Sequence, residues 1–473
     1  MIYNLDEINE QFINNKLYDT IIIGSGPAGL SLAYALQKSK KRIAVIEAGG
    51  ENYSTKSLEP YKGSIVGDKY FDLQYARQRF FGGTSNHWSG WCRPLDEHDF
   101  KEKNYQKLAS WPITRKDLEP YLNKASNILE IDSEYDDKVL NNEYGVKKIS
   151  FKFSPPVRFG QKYKYLFNES NLDLFLNSNL VNFDKVGDSI SSATFKSYKS
   201  NEIKLNAKTF ILATGGIENS RLMLAINQKN NLSLFNKAMP IGKYWMEHPH
   251  FTIGDSIIPK NWKNRFLALT EQKQRELGIL NCGIRFEGGI ASTELKQMIK
   301  DVACYAPDIG KKLFDMMDRQ LICGGKIRAA WEQAPFEKNK ISLSNDEKDI
   351  FGIPRPVLHY KKTNFDKNTV FQTIKQIAYY GNHLSYGRIK LFDFVSSLGN
   401  YPENDELAGY HHMGGTRMSK SPNKGVVDSN LKVHGINNLY IAGSSVFPSG
   451  GHANPTLTIV QLSLRLAEHI ETI

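Results

Sequence analysis

Several short clusters in this 473-residue sequence hold residue types that can do chemistry. Gly24-Ser25-Gly26-Pro27-Ala28-Gly29 is a G-x-G-x-x-G turn, and Glu47 follows at the end of the next apolar run. Gly24 permits a tight turn, Gly26 lets the backbone approach a pyrophosphate, and Gly29 lets helix and strand pack closely. Glu47 can accept hydrogen bonds from ribose hydroxyls, which favours an adenosine with a free 2′-OH. Near the other end stand His411 and His412, and then Asn454-Pro455. A neutral imidazole near pH 7 can take a proton from a hydroxyl, but an isolated His-His pair can equally fill a loop. Asn454 can hold an oxygen or cap the helix that follows. Met246-Glu247-His248-Pro249-His250 lacks further ligands at useful spacing, so it is expected to be structural and no metal centre is expected.

The elements around these residues are those of a nucleotide-binding unit. Tyr18 to Ile23 is a β-branched apolar run that predicts a buried strand. Leu30 to Gln37 predicts a helix, and Arg42 to Glu47 a second strand. Thr209 to Gly216 is a strand ending in glycines, and Glu218 to Ile226 continues as a helix. Asn438 to Gly443 is another strand, and Thr456 to Ile470 a closing helix. Residues 113–145 read as helical and charged, and 150–205 as short strands. Nucleotide-type strands near the start, middle and end imply one sheet assembled from three segments, with a second domain inserted. The expected fold is α/β: a Rossmann-like nucleotide-binding domain with an interleaved second domain, which the family resemblance carried by the C-terminal motifs implies to be an FAD-binding domain with an α+β substrate domain on an antiparallel sheet. The expected boundaries are 1–110, 196–245 and 405–473 for the first, and 111–195 and 246–404 for the second.

NAD(H) could occupy the same glycine turn. Two features favour FAD. Ala213-Thr214-Gly215-Gly216 is a strand end typical of flavoproteins whose chain returns to the nucleotide domain. No second G-x-G-x-x-G occurs for an NAD(P)H that would feed the flavin.

The C-terminal segments carry a family resemblance. They are His411-His412-Met413-Gly414-Gly415-Thr416-Arg417-Met418, Gly425-Val426-Val427-Asp428, Asn438 to Pro448, and Gly450-Gly451-His452-Ala453-Asn454-Pro455-Thr456-Leu457-Thr458-Ile459. With the N-terminal turn and Gly82-Gly83-Thr84-Ser85, the chain resembles the glucose–methanol–choline oxidoreductases, in a form nearest their sugar-oxidising branch. The motifs cover both ends and leave the middle third nearly unmatched. The resemblance implies that FAD contacts Gly24, Gly26, Gly29, Glu47, Gly82, Gly83, Thr84, Ser85, His87, Ala213, Gly443, Ser444, Pro455 and Thr456. It implies a catalytic base seven residues before Met418, which is His411, with His412 ranked second. Asn454 matches the family's Asn form of the partner position. The helix beginning near Thr456 would direct its N-terminal dipole at the reduced flavin. His87 matches the members in which a histidine is bonded to the flavin 8α-methyl. His452 is a further candidate for contact with substrate.

The implied reaction is oxidation of an alcohol to a carbonyl, with a sugar or glycoside hydroxyl as the expected substrate. The implied electron acceptor is oxygen, a quinone or a protein. Alternatives are a non-sugar alcohol, a flavin-dependent lyase, and a nucleotide-binding protein without catalysis. Trp245, Trp262 and Trp331 are candidates to stack on a sugar or to fill the core. Hydrophobic residues at 40% and charged residues at 23% are ordinary for a globular protein. The net charge of +11 is spread among acidic residues without a basic run, so nucleic acid is not an expected partner. Cys92, Cys282, Cys304 and Cys323 form no C-x-x-C pair and are expected to be free thiols. Met1 to Lys16 lacks the pattern of a secretory leader, no apolar stretch is long enough for a transmembrane helix, and a cytoplasmic location is expected.

Overall fold

The computed structural model describes residues 1–7, 16–103, 110–169, 171–257, 262, 265–288, isolated positions between 299 and 316, 325–384, 388–396, 400–407 and 409–473. Two sheets organise it. The first begins with the strand Leu17–Ile23, whose β-branched run is buried almost throughout. The helix Pro27–Leu36 follows at once, with Pro27 at its first position, where a missing N–H costs nothing. Ile43–Ile46 then pairs parallel to Leu17–Ile23. The strand Glu202–Leu212 pairs parallel on the other side, and Leu439–Ile441 pairs parallel to its end. The sheet is therefore assembled from early, central and late chain, as the sequence predicts.

The expected boundaries need one correction. Leu172–Leu176 pairs parallel to Ile43–Ile46, and the antiparallel strands Asn179–Val186 and Ser189–Lys196 extend the same sheet. Residues 172–196 thus belong to the first sheet and not to the inserted domain. All five residues of Leu172–Leu176 are buried, which suits an inner strand of a covered sheet.

The second sheet is antiparallel and seven-stranded. Its order is Arg388–Leu391, His250–Ile257, Gly325–Trp331, Cys282–Gly288, Phe266–Leu269, Val146–Ile149, Lys138–Asn141. The strand Lys138–Asn141 overturns the expectation of a helix through 113–145. Helical structure there is confined to the 3-10 turns Arg115–Asp117 and Glu119–Tyr121 and the α-helix Leu122–Leu129. The strand Val146–Ile149 is fixed by pairing with Phe266–Leu269, a partner that local periodicity cannot reveal. Period-two alternation divides this sheet's faces. Ile284, Phe286, Ile327, Ala329 and Trp331 point into a core that also receives Val370, Ile374 and Ile377 of the long helix Asn364–His383. Gly283, Arg285, Glu287, Arg328 and Ala330 face the opposite way, into the cavity described below.

Cys92 and Cys282 are free and buried, while Cys304 and Cys323 lie outside the described residues. Among the described residues, no helix is long and apolar enough to cross a membrane.

Candidate active site and cofactor cavity

A cavity of about 730 Å³ runs between the two sheets, from Glu47 and the glycine turn to His411, His452 and Asn454. Its nucleotide end is built by backbone. Gly24 has φ +112°, a conformation that L side chains rarely adopt, and a Cβ there would lie 2.3 Å from the Ala213 carbonyl oxygen. A Cβ on Gly29 would lie 1.9 Å from the Gly24 carbonyl oxygen, so helix and strand approach as closely as they do only because both are glycine. Gly26 is different. A Cβ there meets nothing within 4 Å and would project into open space in the cavity wall, ahead of the helix amides. Gly215 and Gly443 line the cavity with equally open positions. A glycine-walled groove at a helix N-terminus is what a pyrophosphate requires. The residues present therefore fit a dinucleotide.

Glu47 is buried and lines the same end. Its carboxylate accepts from the backbone N–H of Gly49 at 2.8 Å and of Ser25 at 3.3 Å, and from the Ser25 hydroxyl. That hydroxyl in turn accepts from Gly82 N–H at 3.1 Å, which ties the second glycine cluster to the first. Gly83, Thr84, Ser85 and His87 line the cavity, as do Ala213, Gly443, Ser444, Pro455 and Thr456. Gly29 and Gly82 support it from behind. Gly82 has φ +96°, and a Cβ there would crowd the backbone of Gly160 at 2.6 Å.

The reacting end holds a hydrogen-bonded chain. His411 Nε2 lies 2.9 Å from Asn454 Nδ2. On the other edge of the ring, His411 Nδ1 lies 2.9 Å from His248 Nδ1. One carboxylate braces both histidines: Glu247 Oε1 accepts the backbone N–H of His411 at 2.7 Å and of His248 at 2.9 Å. The Tyr70 hydroxyl donates to the other oxygen of Glu247 and lies 3.0 Å from His412 Nε2. His412 is thus held by Tyr70 and Trp245, away from Asn454. Tyr410, just before His411, sits at φ +53°, a left-handed conformation that typically costs about 1–3 kcal/mol and recurs at functional sites.

A tautomer follows from these distances. With Asn454 Nδ2 donating, His411 Nε2 is the acceptor and its proton sits on Nδ1, facing the His248 Nδ1 lone pair. Burial pushes His411 well below the usual imidazole range, with His248, His250 and His412 adding to the shift. Burial likewise brings His248 to about 4 and raises the Glu247 carboxyl to about 7. His411 is therefore neutral near pH 7, with a lone pair on the cavity side.

The helix Thr456–Thr472 starts where predicted, with Pro455 as its cap residue. Asn454 does not cap it: its amide goes to His411. His452 is buried on the cavity wall, and neither ring nitrogen has a hydrogen-bond partner among the described residues. Of the two readings open for Trp245, Trp262 and Trp331, the packing supports the core one. Trp245 is enclosed by Tyr70 and Tyr360, Trp262 by Phe286 and Tyr380, and Trp331 by Phe251. Trp88 and Trp91 line the cavity instead.

Sequence reading missed Glu247 and His248 as parts of the site, although the Glu-His-Pro motif was noticed. It also missed Arg77 and Arg79, buried on the cavity wall, where Arg79 donates to Asn179 Oδ1 at 2.6 Å. Two arginines just ahead of Gly82-Gly83 are the signal that could have found them. Among the described residues, no group of three or more His, Cys, Asp or Glu could hold a metal ion.

Comparison with known proteins bears on the same regions. Residues 335–463 match the GMC oxidoreductase family model, and residues 18–239 match that of the pyridine nucleotide-disulphide oxidoreductases. The chain is 28% identical over 283 residues to the fructose dehydrogenase large subunit of Gluconobacter japonicus, covering 56% of this chain and 47% of that subunit. The match therefore spans about half the length of that relative. It is 21% identical over 546 residues to the 2-methyl-1,2-propanediol dehydrogenase of Mycolicibacterium austroafricanum, covering 96% of this chain and 95% of that one. Among solved structures, pyridoxine 4-oxidase from Mesorbium loti superposes with a TM-score of 0.58 at 13% identity, over 96% of this chain and 99% of that one. The glycine turn and most of the first sheet fall in one family match and the His411–Asn454 segments in the other: the chain is an FAD-dependent oxidoreductase whose C-terminal region is similar to the GMC oxidoreductases.

Proposed function

We propose that this protein oxidises a sugar-type alcohol to the carbonyl, with His411 as the base. The observation that carries the reading is the 2.9 Å pairing of His411 Nε2 with the Asn454 amide on the cavity wall. When bound, FAD would accept the hydride removed from the carbinol carbon. The chain's own residues do the rest. His411 Nε2 takes the hydroxyl proton, and the His411 Nδ1 proton stays on the bond to His248. The Asn454 amide is placed to hold the substrate oxygen once a hydroxyl enters between it and the imidazole. The N-terminal turn of Thr456–Thr472 favours negative charge in the adjoining cavity. Glu47 would meet the adenosine ribose, and the Gly24–Gly29 turn the pyrophosphate.

The sugar assignment rests on relatives. Fructose dehydrogenase is one, and C-glycoside 3-oxidase and pyranose 2-oxidase match over shorter stretches. A histidyl tether to the flavin is part of the reading. His87 is exposed on the cavity wall, and its side chain makes no hydrogen bond among the described residues. Acid precipitation tests it, since a tethered flavin leaves the pellet yellow and a free one colours only the supernatant.

The reaction itself is tested by mixing holoenzyme anaerobically with sugars and simple alcohols while following flavin absorbance. Bleaching by an alcohol, with the carbonyl recovered as product, is expected. Later admission of oxygen or a quinone then identifies the acceptor. No bleaching by any alcohol sinks the proposal.

A further inference from the structure

The antiparallel sheet presents two arginines to the cavity side by side. Arg285 and Arg328 are directly opposed in the register of Cys282–Gly288 with Gly325–Trp331. Like charges facing each other across a ladder destabilise it unless something negative lies between. Among the described residues, only one carboxylate does so. Glu287 lies 3.2 Å from Arg285 Nη1 and 2.5 Å from Arg328 Nε. The other guanidinium N–H groups have no protein acceptor among the described residues, and the two side chains remain 30% and 33% exposed where they line the cavity. Arg285 is further fixed over the rings of Trp91 and Phe266, at 5.5 and 5.3 Å. The neighbouring pair Lys326–Asp255 is self-neutralised at 2.7 Å. His250 is held neutral, pushed to about 4 by burial and by both arginines. Among the described residues the cluster therefore keeps an excess positive charge, with fork-shaped donors on the cavity wall.

This cluster belongs to the reacting end. Gly283 shares a strand face with Arg285, and a Cβ on Gly283 would lie 3.0 Å from the His452 ring. Two residues along a strand is about 7 Å. His250, paired with Ala330 two residues along the strand from Arg328, lines the same cavity. His411 and both arginines therefore face one cavity, where a single bound molecule can meet both.

We infer that the alcohol oxidised here carries an oxyanion, a carboxylate or a phosphate, which Arg285 and Arg328 grip while the carbinol end meets His411 and Asn454. The inference rests on the alcohol-oxidation reading above. Guanidinium forks match carboxylate and phosphate oxygens in pairs, and such charge-assisted bonds are among the strongest available. Gly283, which lines the same cavity, brings the His452 ring close to the strand that carries Arg285.

The test uses holoenzyme and matched hexoses: neutral sugars, their uronic acids and their 6-phosphates. Anaerobic flavin reduction is followed for each, in wild type and in Arg285→Gln and Arg328→Gln. At least one oxyanionic form should reduce the flavin at least about tenfold more efficiently than its neutral parent, and each variant should lose about tenfold of that preference. Whether uronate or phosphate wins identifies the source of the oxyanion. Flavin content, read from absorbance, separates lost preference from lost fold, and Arg285→Lys should restore part of the preference. Neutral sugars that perform as well as both anionic forms overturn this inference alone, as does a preference untouched in well-folded variants. If no hexose of any charge reduces the flavin, the alcohol-oxidation reading fails and this inference falls with it.

Discussion

Asn454 and His411 meet side chain to side chain at 2.9 Å, although 43 residues separate them and neither is held by its own secondary structure. The pairing turns the His411 lone pair toward the cavity and leaves the other ring nitrogen to His248. General base catalysis by a positioned imidazole typically contributes about 10²–10⁴ in rate. His411→Ala should slow anaerobic flavin reduction by that order, without loss of bound flavin. Asn454→Ala should cost roughly 10²-fold, since it removes one donor to developing charge. Stopped-flow reduction checks both, and a wild-type rate in His411→Ala removes the base assignment.

Glu247 positions His411 without reaching the cavity. Glu247→Ala would strip the backbone N–H groups of His248 and His411 of their shared acceptor. A buried donor left unpaired costs about 1–3 kcal/mol. Glu247→Gln keeps an acceptor oxygen and should retain most of the stability. The expected order of melting temperature is wild type, then Gln, then Ala. Equal values for Gln and Ala would show that the carboxylate is not a brace.

Two neighbouring glycines should fail in different ways. Gly26→Ala adds a methyl in open space in the cavity wall, so the protein should fold normally and lose affinity for FAD. Gly29→Ala drives a methyl to 1.9 Å from the Gly24 carbonyl, so the fold itself should suffer. Overpacking of this kind costs about 1–3 kcal/mol or more. Flavin content and apoprotein melting temperature, measured together, distinguish the two.

Acid should unfold the protein early. Burial holds His98, His248 and His250 at about 4, and His412 and His452 at about 3, against the usual 6.5. Between pH 6.5 and 4 the unfolded chain binds protons that the folded one refuses, so their contribution to stability falls as pH falls. Asp99 and Glu247, raised to about 7, and Asp366, raised to about 6, act in the opposite sense: they favour the fold as pH drops from 7 toward 4.5. Burial is the largest cause in each. Five histidines outweigh three carboxyls, and the melting temperature should drop on acidification from pH 6.5 to 4. A flat or rising profile over that range refutes the balance.

Much of the nucleotide end was legible in the sequence, because it is local. A β-branched run, a glycine turn and a helix are adjacent in the chain, and their spacing fixes the backbone whatever surrounds them. Gly24, Gly26, Gly29 and Glu47 could thus be read directly, and so could the segments holding His411 and Asn454. What the tertiary structure decided is which side chains meet. Consecutive residues such as His411 and His412 point to different neighbours, and only Glu247, Tyr70 and Asn454, from distant segments, determine which ring meets the Asn454 amide. Trp245 looks like a sugar platform by type and is core by packing. The strand Val146–Ile149 and the sheet membership of Leu172–Leu176 escape local reading because their partners, Phe266–Leu269 and Ile43–Ile46, lie over a hundred residues away. Arg285 and Arg328 are unremarkable along the chain and become a pair through the register of one antiparallel ladder. Spacing encodes local backbone geometry, whereas long-range contacts arise only when the whole apolar pattern is buried at once.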